Sequence, residues 1–179
     1  DVGWLAAASL PLPDDAQKVH YQTGRHNAEY SAQTDILGRA TWMRENRRGL
    51  TSHDALPSVL VEAGGATFGA QLAWSGNHKQ TIEWLDDGRY QWQMGEWFAP
   101  GEVILAPGET LTTPDVLATC SPAGKGGVAR NFHNSIRKII DWPGGKMSPR
   151  LVHINTWEGF YFDHDETKLI ALADASAAL

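Results

Sequence analysis

The residues with chemical potential in this chain are among its 21 carboxylates, seven histidines, one cysteine and an unusual number of tryptophans. Hydrolysis of a glycosidic bond needs two carboxylates about 5–9.5 Å apart, one on each side of the scissile bond. Glu96, Glu102, Glu158, Asp163 and Asp165 are available, and nothing in their spacing picks out a facing pair, so none is given a catalytic role. Ser52-His53-Asp54 holds the three residue types of a nucleophilic triad. Adjacent side chains point in different directions, so the run cannot form the relay, and it reads as a turn or the opening of a strand. No His-x-His or His-Glu-x-x-His occurs, and Asp163-His164-Asp165 is better explained as a helix-capping turn, so no metal ligand is assigned. Gly144-Gly145-Lys146-Met147 puts Met where a phosphate loop needs Ser or Thr, and Gly124-Lys125-Gly126-Gly127 reads only as a flexible turn. Cys120, at the end of an apolar strand, is expected to be a buried small hydrophobe.

Eight Trp in 179 residues is far above ordinary usage. Trp157 is the most informative. It ends the stretch Leu151-Val152-His153-Ile154-Asn155-Thr156-Trp157, whose composition is that of a buried parallel strand. At the C-terminal end of a (β/α)₈ barrel strand, an indole either lines a site, where its face stacks on the apolar side of a pyranose, or caps the barrel core. Position alone does not separate the two. Trp74 and Trp92 share period-2 faces with other apolar residues and are expected in a core; Trp42 and Trp97, among polar neighbours, are expected at a surface or interface.

The elements that would position these residues are mostly strands. From about Val2 to Ala118, short apolar or alternating runs end at turn signals every eight to twelve residues, the pattern of a sandwich or barrel. Val59–Glu62 and Thr67–Trp74 flank Ala63-Gly64-Gly65; Thr81–Leu85 and Arg89–Met94 flank Asp86-Asp87-Gly88; both read as hairpins. Val103–Leu105, Thr110–Thr113 and Val116–Cys120 read as further strands. From Val128 to Ile140 the period changes to helical, with Phe132, Ile136, Ile139 and Ile140 on one side, and a Gly/Pro-rich linker runs to Pro149. After strand 151–157, Asp163 and Glu166 match a capping box, and a helix follows with Leu169, Leu172, Ala173 and Ser176 on one face. The expected organisation is 1–124 β domain, 125–149 linking helix and linker, 150–179 the first strand and helix of a barrel. One β/α unit cannot cover its own strand, and a complete barrel takes roughly 250 residues, so the chain is expected to be a piece of a larger protein.

Charge and composition exclude more than they select. A net charge of -6 is the wrong sign for nonspecific nucleic-acid binding. One Cys excludes an intrachain disulfide framework, and no apolar run approaches a membrane span. No signal peptide is visible at the N-terminus, which also lacks Met; a cytoplasmic location is expected.

Several blocks fall in one order: Arg48-Gly49-Leu50-Thr51-Ser52-His53-Asp54; Phe68 to His78, ending Ser75-Gly76-Asn77-His78; Leu105 to Pro114; Asn131-Phe132-His133 with Arg137; Pro149 to Glu158; and Tyr161-Phe162-Asp163. Together they resemble the α-galactosidases of glycoside hydrolase family 36. The resemblance implies a mainly β fold: the second half of an N-terminal β-supersandwich of the galactose mutarotase type, a connecting helix, and the start of a (β/α)₈ catalytic barrel. It implies a retaining enzyme that removes terminal α-linked galactose from oligosaccharides such as raffinose or melibiose, with an Asp nucleophile and an Asp acid/base, both beyond Leu179, so that this chain alone is inactive. It assigns Trp157 the galactose contact, makes Glu158 and Tyr161 supports of the same loop, and implies no cofactor and a homo-oligomer, often a tetramer. Leu50 stands where Arg, Ser or Thr is usual, and Gly159-Phe160 replaces a more common Ala-containing pair; neither touches the galactose contact. Two other readings compete. A stand-alone carbohydrate-binding sandwich would show exposed coplanar Trp on one sheet face. An aldose-epimerase-like β domain would need an internal His–Glu pair, and none is evident in the sequence.

Overall fold

The computed structural model describes residues 1–51 and 53–178. Nine strands come first: β1 Trp4–Leu12, β2 Lys18–Gly24, β3 Ser31–Ile36, β4 Trp42–Asn46, β5 Asp54–Ala63, β6 Ala66–Leu72, β7 His78–Trp84, β8 Tyr90–Trp97 and β9 Val116–Ser121. Helix α1, Gly124–Ile139, follows, then a 3₁₀ turn at Pro143–Gly145, the one-turn helix α2, Trp157–Phe160, and α3, Glu166–Ala177. Packing divides the chain into Asp1–Ile139 and Ile140–Leu179.

In the first unit the strands form two antiparallel sheets, in the orders β1-β8-β7-β4 and β3-β2-β5-β6-β9. Period-2 alternation gives each sheet one apolar face. On the first sheet Trp42, Ile82, Trp92 and Leu10 stand in one cross-strand row; on the second, Tyr21, Val59 and Ala70 do. These faces meet in a core built around Trp92, Ile82, Met94, Val19, Val59 and Val61. The two expected hairpins are present. Gly64 and Gly65, at φ 57° and 71°, make the β5–β6 turn in the left-handed conformation that matches strand twist. Gly88, at φ 84°, does the same service between β7 and β8, where Leu85 N–H donates to Arg89 O. Pro11 falls within β1, an edge strand, where a missing N–H is tolerated.

Helix α1 lies across the outer face of β6 and β9. It starts at Gly124, so the run Gly124-Lys125-Gly126-Gly127 is its first turn and not a loose loop. Close approach explains the glycines. A Cβ on Gly127 would sit 2.1 Å from Ser121 Oγ, and one on Gly69 in β6 would sit 2.5 Å from Val128 Cγ1. Val128 and Phe132 are the large side chains this approach buries. Asn131 Nδ2 donates to Thr119 Oγ1 at 2.9 Å and so ties the helix to β9.

Three expected strands are not formed. Residues 98–115 contain none: Ile104 is 70% exposed, and the segment is held by turns, with Glu102 N–H donating to Ala99 O and Glu109 N–H to Ala106 O. Pro107 and Pro114 bracket runs too short to find a ladder. In the second unit Leu151–Thr156 is irregular, and Val152 is 94% exposed. A parallel strand is stabilised by neighbours on both edges and cover on both faces; among the described residues of 140–178 no other strand exists to pair with it. The cap of α3 is Asp165, whose Oδ1 accepts Lys168 N–H at 3.1 Å, not Asp163, which pairs instead with the Lys168 ammonium. The half-buried residues of α3, Leu169, Leu172 and Ser176, follow the expected face; Ala173 is exposed.

Candidate functional site: the Trp157 corner

Trp157 opens α2 and does not close a strand. Asn155 turns the chain into this helix: its Oδ1 accepts the Trp157 N–H at 2.8 Å. One helical turn later Tyr161 N–H donates to Trp157 O at 2.8 Å. Tyr161 has φ 49° and ψ -112°, which stops the helix and swings the following residues back. The result is a three-ring cluster. The Tyr161 and Phe162 rings meet the Trp157 indole edge-on, with centroids 5.5 and 5.0 Å away and interplanar angles of 72° and 88°. Trp157 is still 45% exposed, so the indole offers surface while two rings restrict its rotation. Chemically this is a platform for an apolar ring face.

Four of the five candidate carboxylates are engaged or enclosed elsewhere. Asp165 caps α3, and the Lys168 ammonium hydrogen-bonded to Asp163 holds its carboxyl below the usual range. Glu158 is exposed in the first turn of α2. Glu102 Oε2 accepts Ala99 N–H at 2.7 Å. Glu96 is 6% exposed; burial, with the charge of Glu102 adding to it, pushes its carboxyl up. A cavity of about 410 Å³ between α1 and the outer face of the second sheet, walled by His20, Gln71, Phe132 and His133, has no carboxylate among its lining residues. No cluster of three or more His, Cys, Asp or Glu suited to a metal occurs among the described residues.

The structure does place a His–Glu pair inside the β domain, contrary to the sequence reading. His78 on β7 stands directly opposite Glu96 on β8. The signal was present, because residues equidistant from Asp87 in the β7–β8 hairpin must face each other. His78 is fully buried, and desolvation holds its pKa below the ordinary imidazole value. Both side chains are enclosed, so the pair has no access to a sugar. Three other expectations are also corrected. Trp42 is 8% exposed, with its indole N–H on Asp35 Oδ2 at 2.8 Å and its ring edge-on to Tyr21, so it is core and not surface. Trp74, expected in the core, lies beyond β6 and is 41% exposed. Cys120 is exposed, on β9, the last strand of its sheet among the described residues. Trp97 is half-buried beneath the Arg47 guanidinium, 4.1 Å from the ring centroid. At 53–54, His53 O accepts Asn46 Nδ2, and Asp54 opens β5 at φ 54° while accepting from Arg25 and Arg48; Ser52 lies outside the described residues.

Comparison with known proteins places this architecture. Residues 1–106 match the glycosyl hydrolase family 36 N-terminal domain, and residues 110–179 match the melibiase family. An α-galactosidase of Escherichia coli is 37% identical over 97% of this chain and 25% of its own length, and a probable α-galactosidase G of Aspergillus terreus is 33% identical over 98% and 25%. Among solved structures, the galactosidase domain of the α-galactosidase–sucrose kinase AgaSK superposes with a TM-score of 0.86 at 29% identity, covering 97% of this chain and 25% of that one. The α-galactosidase AgaA of Geobacillus stearothermophilus superposes at 0.84 with 26% identity, covering 95% and 24%, and a variant of it solved with raffinose at 0.82. The chain thus spans about a quarter of the length of these relatives. None of the described helices is long and apolar enough to cross a membrane. With more than half of its residues matched by the N-terminal domain, the chain belongs to glycosyl hydrolase family 36.

Proposed function

We propose that the chain is part of a retaining α-galactosidase that releases terminal α-linked galactose from oligosaccharides such as raffinose or melibiose, with Trp157 as the stacking platform for the galactose ring. The observation that carries this reading is the half-exposed Trp157 indole, held by two rings, within the part of the chain that matches the melibiase family. The apolar C–H face of galactose fits against an indole face, and the clamp fixes where that face points. The nucleophile and acid/base are aspartates outside residues 1–179, and no metal or cofactor takes part. Residues 1–124 belong to the supersandwich, 125–149 to the connection and 150–179 to the barrel. The protein works in the cytoplasm as a homo-oligomer, a tetramer in the arrangement its family suggests. The alternative of a free-standing sugar-binding sandwich loses support from the burial of Trp42 and the stacking of Arg47 on Trp97, which leave neither indole as an open platform.

The test is Trp157→Ala in the α-galactosidase that carries this segment, assayed with an aryl α-galactoside. Loss of one stacking face lowers kcat/KM about tenfold, about 1.4 kcal/mol. Unchanged kcat/KM in a folded variant removes Trp157 from the site. Turnover by the isolated 179-residue chain removes the assignment of the catalytic aspartates to other residues.

A further inference from the structure

We infer that Asn155 and Phe162 are positioning residues for Trp157, the first fixing its backbone and the second its ring; the inference rests on the reading of Trp157 as the sugar platform.

Two features of the corner point this way. The Asn155 Oδ1 bond goes to the backbone N–H of Trp157 itself, at 2.8 Å. That bond sets the direction of the Cα–Cβ vector at residue 157, and with it the origin of the indole. Thr156, the residue in the N-cap position of α2, makes no side-chain cap, so Asn155 does the work a cap would do for the first N–H of the helix. The second feature is the Phe162 ring. It stands edge-on to the indole at 5.0 Å and 88°. Its effect is to limit the indole's rotation about its side-chain bonds. Tyr161 closes the other side at 5.5 Å, and its positive φ is what brings Phe162 back toward Trp157. A stacking platform is useful only when its plane is set before the ligand arrives, because a misplacement of even an ångström weakens the contact.

The experiment is a pair of double-mutant cycles in the α-galactosidase that carries this segment, with kcat/KM for a nitrophenyl α-galactoside as the readout and thermal unfolding as the check on folding. Asn155→Ala is expected to lower kcat/KM about fivefold, the effect of one hydrogen bond. Asn155→Asp, which keeps an accepting oxygen, restores most of the loss. Phe162→Leu lowers kcat/KM about threefold, as expected for one edge-on ring contact. In a Trp157→Ala background both substitutions fall silent, because the ring they position is gone. Full additivity of Asn155→Ala or Phe162→Leu with Trp157→Ala overturns the inference, as does failure of Asn155→Asp to restore activity. If Asn155→Ala does not fold, the Phe162→Leu cycle decides alone by the same criterion. If Trp157→Ala is itself without effect, the reading of Trp157 as the platform fails first, and that result is distinct from additivity.

Discussion

Asn46 shows how one side chain can hold a loop. It is fully buried at the end of β4, and both ends of its amide are used: Nδ2 donates to Leu50 O at 2.6 Å and to His53 O at 2.7 Å, and Oδ1 accepts Arg48 N–H at 2.8 Å. Asn77 adds a fourth tie by accepting Gly49 N–H at 2.8 Å. Asn46→Ala should therefore destabilise the fold by about 2–3 kcal/mol in a denaturant titration, since it removes three hydrogen bonds made by one buried side chain. Arg25→Ala, which removes an exposed pair with Asp54, should change stability by less than about 0.5 kcal/mol. None of this was legible from the residue string, because the Asn46 partners come from a loop of irregular path. The same limit explains Trp42 and Cys120. Polar neighbours in sequence pointed Trp42 outward, but Asp35 and Arg44, the latter with its guanidinium 5.3 Å from the ring, are what allow the indole to sit inside with its N–H satisfied. Cys120 shares a row with Val19, Val61 and Phe68, so its face was correctly apolar; that β9 would be an edge is a fact of topology, which alternation does not encode. Trp157 stood out in the sequence through its motif, whereas its three-ring clamp did not, because the backward swing at Tyr161 is a conformation no propensity favours.

At the scale of elements, the α1–β6 contact is set by two missing side chains. Gly69→Ala should cost about 1–3 kcal/mol, because its Cβ would lie 2.5 Å from Val128 Cγ1 and 2.9 Å from Leu60 Cδ2, and overpacking of that kind moves the helix. The cost should shrink in a Val128→Ala background, where the clashing methyl is gone; equal costs in the two backgrounds, measured by chemical unfolding, would show that the helix does not rest on Gly69. Periodicity found the helix but not its buried face: Phe132 is its deepest large side chain after Val128, whereas Ile136 and Ile139 are exposed and Ile140 lies past its end, and the leading glycines read as a break. Glycine is a poor helix former on propensity alone. Here Gly127 is needed where the helix passes Ser121, and packing outweighs propensity. The hairpins were legible for the opposite reason: their turns are local, and Gly64-Gly65 and Gly88 leave few other choices. Strand 151–156 was legible as a composition but not as a formed element, because a parallel strand is a property of its neighbours.

For the molecule as a whole, stability should depend on pH through buried groups of opposite tendency. Burial raises the Glu96 carboxyl, so its contribution is fully present below the ordinary carboxylate range and is lost as pH rises through its folded value. At neutral pH the ionised form is a cost. Glu96→Gln should accordingly raise the unfolding free energy at neutral pH, with the gain vanishing in acid; a variant no more stable than the parent at neutral pH would contradict the burial of that charge. His78 acts in the other direction. Its folded-state value is lowered, so acidification below the ordinary imidazole range protonates the unfolded chain first and drains stability. Glu62, held low first by its hydrogen bond from His20 and then by nearby cations, contributes stability that is lost as pH falls through its folded value. The pairing of β1 with β8, from Trp4 opposite Trp97 to Leu12 opposite Tyr90, bears on time as well as on energy. Hairpins such as β5–β6 and β7–β8 close within about 1–10 μs once both arms exist. β1 pairs instead with β8, far along this sequence. On a ribosome adding roughly 5–20 residues per second, it waits roughly 5–20 s for β8 to be made. During that interval the β1–β8 ladder cannot form, and the pace of synthesis sets when it can close.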